Sequence, residues 1–206
     1  MSEERISVQK AKEMSGEGKE QLIKRIEQDA HDNEVVYWGC SRAVVDALQR
    51  HFNLGNGEVF KAASPLAGGI GGIREACGAL IGGGMAIGLA YAPAKFEKGK
   101  VGSEQTEFVE AMVRTGKFCE RFKEKFGSIR CSDIRAAVRG ADYKEYEHMN
   151  TIEAFEDHDK CGDVTGPAAQ LAAEIILQPT ELFADEINAR LEDLSQVRKQ
   201  QKKSQI

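Results

Sequence analysis

Residues 74–92 read REACGALIGGGMAIGLAYA, and this stretch decides the fold. From Ala76 to Ala94 the chain carries no charge, and that length can cross a bilayer. Gly78, Gly82, Gly83, Gly84 and Gly88 dilute its hydrophobicity, however, where a span would be richer in Leu, Ile and Phe. It reads as a helix buried inside a helical bundle. Glycine in mid-helix costs about 1 kcal/mol relative to alanine, so Gly82–Gly84 imply that something needs bare backbone there. A bulky inorganic cofactor, a tightly packed neighbouring helix and a subunit partner all qualify. The pairs Gly78/Gly82 and Gly84/Gly88 form the small-x-x-x-small pattern that lets backbones approach.

Upstream, GGIGG (68–72) breaks the chain. It is no phosphate loop, because it lacks the Gly-Lys-Ser/Thr ending and follows no strand. KEQLIKRIEQDAH (19–31) sets Leu22, Ile23, Ile26 and Ala30 on one stripe, and Cys40, Val44, Leu48 and Phe52 recur every fourth residue, which turns Cys40 inward. NLGNG is a turn, and EVFKAASPLAGG a short helix interrupted near Pro65. Downstream, a linker at KFEKGKVGS leads to the longest amphipathic helix, roughly Glu104 to Lys125, with Phe108, Met112, Phe122 and Phe126 on its inner face. Gly127 ends it.

A short helix runs from Cys131 to Gly140, and the polar stretch 140–160 is partly loop. Pro167 suits the first position of a closing helix, and a restart after Pro179 carries ELFADEINARLEDLSQVRK. No run alternates with period two for long enough to make a strand. The expected fold class is all-α, an orthogonal or mixed bundle around the glycine-rich helix. Residues 1–18 read as a flexible segment, 19–178 as the helical domain, and 179–206 as a helical extension with a basic tail.

At 206 residues, 41% hydrophobic and 30% charged, the chain suits one soluble core. A net charge of -5 argues against nucleic acid, which needs a basic face. The terminal RKQQKKSQI is too short for one and reads as a solvated tail. The charged N-terminus shows no apolar signal region, so a cytoplasmic location without a membrane is expected. The five cysteines then read as thiols or ligands, not as a disulfide framework.

Four of those cysteines stand where helices start: Cys40, Cys77, Cys131 and Cys161. Free N–H groups and the positive dipole end favour thiolate there, which points to metal or redox chemistry. No Cys-x-x-Cys occurs, and no Cys-x-x-Cys-His, so neither a local dithiol nor c-type haem is expected. The spacing matches no ferredoxin. Cys119 lies mid-helix on the aromatic face and reads as structural. His158, three residues before Cys161, is a candidate mixed ligand or proton donor, although its polar surroundings suit an exposed histidine. Glu75 sits in the first turn beside Cys77, where a carboxylate also stabilises the dipole. His31, His51 and His148 show no useful spacing.

Together WGCSRAVVDAL around Cys40, GGIGGIREACGALIGGGMAIGLAYA around Cys77, FKEKFGSIRCSDI around Cys131 and KCGDVTGPAAQLAAEII around Cys161 resemble the C-GCAxxG-C-C family of putative redox-active proteins, over about Asp32 to Leu177. Around Cys77 the order is Cys-Gly-Ala-x-x-Gly, a variation on the family's Gly-Cys-Ala-x-x-Gly. A related module occurs in split-Soret cytochromes c, helical dimers in which an iron–sulfur cluster accompanies the haems. The resemblance implies an iron–sulfur cluster, for which a two-iron two-sulfur form is considered, on three or four of Cys40, Cys77, Cys131 and Cys161. It also implies a homodimer and a redox partner protein, and it transfers no haem. Two other readings stay open: a dithiol–disulfide oxidoreductase using a pair such as Cys40 and Cys77, and a structural zinc site.

Overall fold

The computed structural model describes residues 5–95, 103–139 and 159–203. The fold is all-helical: nine α-helices and no strand occur among the described residues. They are α1 (Val8–Lys12), α2 (Gly16–Tyr37), α3 (Cys40–Phe52), α4 (Gly57–Ala63), α5 (Gly78–Tyr91), α6 (Ser103–Phe126), α7 (Cys131–Arg139), α8 (Asp159–Leu177) and α9 (Ala184–Lys203), with 3-10 turns at Ser64–Leu66 and Thr180–Phe183. Residues 96–102 of the linker, most of the polar stretch 140–160 with His148 and His158, and the end of the basic tail lie outside the described residues.

The apolar stripes build the core. Leu22, Ile26 and Ala30 of α2 meet Ala168, Ala172 and Ile176 of α8, while Val44, Leu48 and Phe52 of α3 complete the same cluster. Helix α5 is central and packs on α3, α6 and α8. It spans only 14 residues, and no described helix is long and apolar enough to cross a membrane.

Close packing accounts for Gly82 and Gly83. A Cβ on Gly82 would collide with the Ser41 carbonyl of α3, and one on Gly83 with the Phe118 ring of α6. A neighbouring helix, rather than a cofactor, occupies the space at these two positions. Buried apolar contact with α3 and α6 offsets the glycine propensity cost.

Three expectations change. Helix α8 begins at Asp159, so Pro167 lies inside it. An interior proline normally costs about 3 kcal/mol, but the long contact with α2 outweighs local propensity. Gly162 and Gly166 let the His31 ring and the Glu27 carbonyl of α2 come close there. On α6 the inner face runs through Val109, Val113, Phe118 and Phe122, whereas Phe108 and Met112 are 51% and 48% exposed. Two apolar stripes lie one residue apart on that helix, and the bare face of α5 selects the β-branched one. Within residues 1–18, read as flexible, α1 buries Ala11 against the core.

At the other end of the chain, α9 docks on α6 through Ile187, Leu191 and Leu194. The C-terminal end of α8 is tied down by Arg114, which is wholly buried. Its guanidinium donates to the carbonyls of Ile175 (2.8 Å) and Gln178 (3.1 Å). Tyr91 Oη donates to the Ile176 carbonyl. These side chains satisfy carbonyls that a helix end leaves open.

Candidate functional site

Four helix starts meet at one end of the bundle. Cys40 is the first residue of α3, Cys77 is the N-cap of α5, Cys131 opens α7, and Cys161 is the third residue of α8. All four line a single cavity of about 380 Å³. Cys119 lies on α6 outside it. Glu75 precedes α5 instead of lying in its first turn, and its exposed carboxylate meets Arg130 at 3.4 Å.

Backbone pairing brings Cys77 beside Cys131. Residues Ala76 and Arg130 form an isolated antiparallel bridge. Cys77 N–H donates to the Ile129 carbonyl (2.8 Å), Cys131 N–H to the Glu75 carbonyl (2.6 Å), and Ser132 N–H to the Arg74 carbonyl (3.2 Å). These bonds carry two distant segments to one wall of the cavity.

The GGIGG segment makes another wall. Its five residues, Gly68 to Gly72, all have φ between 59° and 83°, forming a left-handed turn that costs about 1–2 kcal/mol at each non-glycine residue. Only Ile70 bears that cost. The turn is closed by Gly71 N–H to the Pro65 carbonyl (2.7 Å) and Arg74 N–H to the Gly68 carbonyl (3.1 Å). It points the Gly68 N–H at the Cys40 sulfur. The same sulfur lies against the bare α-carbon of Gly78, where a Cβ would stand closer than 3.0 Å to it. Gly78 therefore makes a notch for the Cys40 thiol.

A strained turn completes the mouth. Trp38 has φ 56° and ψ 160°, a region otherwise reserved for glycine and costing about 1–3 kcal/mol. Arg42 holds it, donating from Nε to the Trp38 carbonyl (2.8 Å) and from Nη2 to the Tyr37 carbonyl (2.6 Å). Trp38 and Tyr37 line the cavity yet remain open to solvent.

The electrostatics overturn the thiolate expectation. Burial pushes the Cys77 thiol up to about 12, against the opposing N–H bonds from Leu80 and Ala79. Burial also lifts Cys161 to about 11, helped by the Glu34 carboxylate and opposed by Arg135 and Arg139. Cys40 is raised well above its ordinary value, first by burial, then by Glu34 and Cys77. Helix starts supply the expected donors, but loss of water outweighs them. Without a metal these three are neutral thiols at pH 7, and ionising one cavity cysteine opposes ionising the next.

Sequence reading missed the non-cysteine wall of Glu34, Trp38, Gly68, Gly71, Gly72 and Arg135. Two signals were available. Glu34 continues the four-residue stripe of Leu22, Ile26 and Ala30, and Arg135 stands one turn after Cys131. Among the described residues no three His, Cys, Asp or Glu side chains close on one ion; the thiols surround a space. Four sulfurs, N–H donors aimed at two of them, and Arg135 in the wall fit a polynuclear centre whose thiolate ligands carry excess negative charge.

Neither a curated protein nor a solved structure matches the chain. The model of the family described as "Putative redox-active protein (C_GCAxxG_C_C)" matches residues 38–175, a span that holds all four cavity cysteines and the glycine-rich helix. The chain belongs to this C-GCAxxG-C-C family of redox-active proteins.

Proposed function

We propose that Cys40, Cys77, Cys131 and Cys161 hold an iron–sulfur cluster and that the protein transfers electrons or senses redox state in a reducing cytoplasm. The observation that supports this most is the shared cavity: four sulfurs from four separate helix starts line it. When bound, such a cluster supplies reversible one-electron chemistry. The chain's own residues bind and shield it. The four cysteines give up their protons on ligation, the N–H groups of Gly68, Ala79 and Leu80 donate to ligand sulfurs, and Trp38 narrows the mouth. The proposal includes a homodimer and a protein redox partner, as the family resemblance implies; light scattering of the loaded protein tests the first.

Purification without oxygen tests the cluster. Iron and acid-labile sulfide should bind stoichiometrically with visible absorbance, and Cys→Ser at any of the four cavity positions should reduce both. Cys119→Ser should leave both intact. A colourless, metal-free protein with a titratable dithiol would favour the disulfide reading instead. That reading has the closeness of Cys40 to the Cys77–Gly78 step in its favour, but thiols with raised pKa values are poor nucleophiles at pH 7. Colourless protein with bound zinc would favour a structural metal.

A further inference from the structure

Helix α7 presents more than a cysteine to the cavity. Cys131, Arg135 and Arg139 follow one another at intervals of four residues, so they share one helix face. All three are buried, at 5%, 3% and 7% exposure. Arg135 lines the cavity together with Ile134 and Val138 of the same helix. Long cationic side chains are seldom this deeply enclosed. The neighbouring Arg130 is the useful contrast: it also adjoins Cys131 in sequence, but its side chain is 55% exposed and pairs with Glu75 at the surface.

From this arrangement we infer that Arg135 and Arg139 are positioning residues that set the reduction potential of the centre held by the four cysteines. This rests on the iron–sulfur reading above. Adding one electron makes the site more negative by one charge, and a fixed cation nearby stabilises that reduced state. Burial decides the size of the effect, because Coulomb energy in a poorly solvated site exceeds that at the surface several-fold. Water and salt screen Arg130. Both guanidiniums also act on Cys161, opposing the rise of its pKa, so their field reaches across the cavity from α7 to α8. Glu34 on α2 acts in the opposite sense on Cys40 and Cys161.

The test is an anaerobic redox titration of the loaded full-length protein, followed by its visible spectrum. One electron from dithionite converts one ferric to one ferrous iron, with no bond made or broken at the thiolates. Arg135→Gln and Arg139→Gln should each lower the reduced-to-oxidised ratio at a fixed potential by at least tenfold, a shift of 59 mV for one electron. Arg135→Lys should recover most of that shift, and Arg130→Gln should change the ratio by less than threefold. Should Arg135→Gln fail to fold or load, Arg139→Gln and Arg135→Lys carry the measurement.

Loaded variants whose reduced-to-oxidised ratio at that fixed potential stays within threefold of wild type would overturn the inference and leave the cluster reading standing. So would an Arg130 effect as large as the buried ones. A wild-type protein that binds no iron or sulfide would sink both.

Discussion

Replacing Gly78 by alanine tests the site's geometry most directly. The added Cβ would fall less than 3.0 Å from the Cys40 sulfur, and 3.1 and 3.3 Å from the Leu66 carbonyl oxygen and the Ala67 α-carbon. Comfortable contact for such atoms is about 3.5–4.0 Å, so the sulfur must retreat by more than about 0.5 Å, or α3 must part from α5. Overpacking of this kind costs about 1–3 kcal/mol. The smaller unfolded-state entropy of alanine returns about 0.4–1 kcal/mol, which leaves a net loss of roughly 0.5–2 kcal/mol.

Gly88 lies on the same helix, and a Cβ added there would meet nothing within 4 Å, so Gly88→Ala should gain about 0.5–1 kcal/mol. A chain of this size moves by about 2–4 °C in Tm per kcal/mol. Thermal melts of the metal-free protein under reductant should therefore place the two variants on opposite sides of wild type. In a Cys40→Ala background, Gly78→Ala should lose most of its cost, a coupling of about 0.5–2 kcal/mol. The loaded Gly78→Ala protein should also bind less iron. If Gly78→Ala melts with wild type and its cost is the same with and without the Cys40 sulfur, the notch is not there.

Three further outcomes follow from the same structure. Arg114→Met removes the guanidinium that donates to the Ile175 and Gln178 carbonyls and to the Glu110 carboxylate, which keeps the Thr180 hydroxyl as a donor, and also removes a cation stacked 3.9 Å from the Tyr91 ring and 4.3 Å from Phe183. Breaking a buried pair of this kind costs about 3–5 kcal/mol; a urea midpoint close to wild type would contradict the clamp. Trp38→Gly and Trp38→Ala both lose the indole, but only glycine sheds the backbone strain of about 1–3 kcal/mol, offset in part by its looser unfolded chain, so chemical denaturation should find Trp38→Gly the more stable of the two; a Trp38→Ala midpoint at or above that of Trp38→Gly refutes the strain. Finally, the metal-free protein should weaken in alkali. Thiols held at about 12 (Cys77) and about 11 (Cys161) stay protonated in the fold while the unfolded chain ionises near 9. Their contribution is complete below about pH 9 and lost as pH rises from there through 11 and 12. Cys77→Ala with Cys161→Ala should flatten the fall in Tm over that range, and an equally steep fall in the double variant counts against it.

Local signals in the chain are enough for the helices and for the four cysteines at their starts. Glycine stops and four-residue stripes are written in neighbouring residues, and Gly127 reads as it stands, whereas the sequence reading misses the Ser15 and Asn56 N-caps of α2 and α4. What places Cys131 beside Cys77 is different. It depends on backbone bonds between residues 74–77 and 129–132, and no periodicity records a pairing across that separation. The inner face of α6 is ambiguous in sequence because Phe108 and Met112 repeat as regularly as Val109 and Val113; the choice is made by the shape of α5. Pro167 follows a statistical preference for helix starts that the packing of α2 on α8 overrides. The thiolate expectation fails for a related reason: a helix start is visible in sequence, whereas the loss of water around a sulfur exists only after folding.

That loss of water bears on what the cavity is for. A nucleophilic thiol needs its pKa lowered, and the burial here raises it. Four thiolates in one enclosed space would repel one another, with the Glu34 carboxylate adding to the repulsion at Cys40 and Cys161. Deprotonation becomes favourable only when positive charge replaces the protons, and metal ions do this while removing the mutual repulsion. On the proposed cluster reading, the features that oppose ionisation of the bare thiols would make proton release and metal entry a single linked event. Loading should accordingly tighten steeply as pH rises from about 6 to about 8, with more than one proton released per cluster. A loading equilibrium independent of pH over that interval would return the argument to thiol–disulfide chemistry.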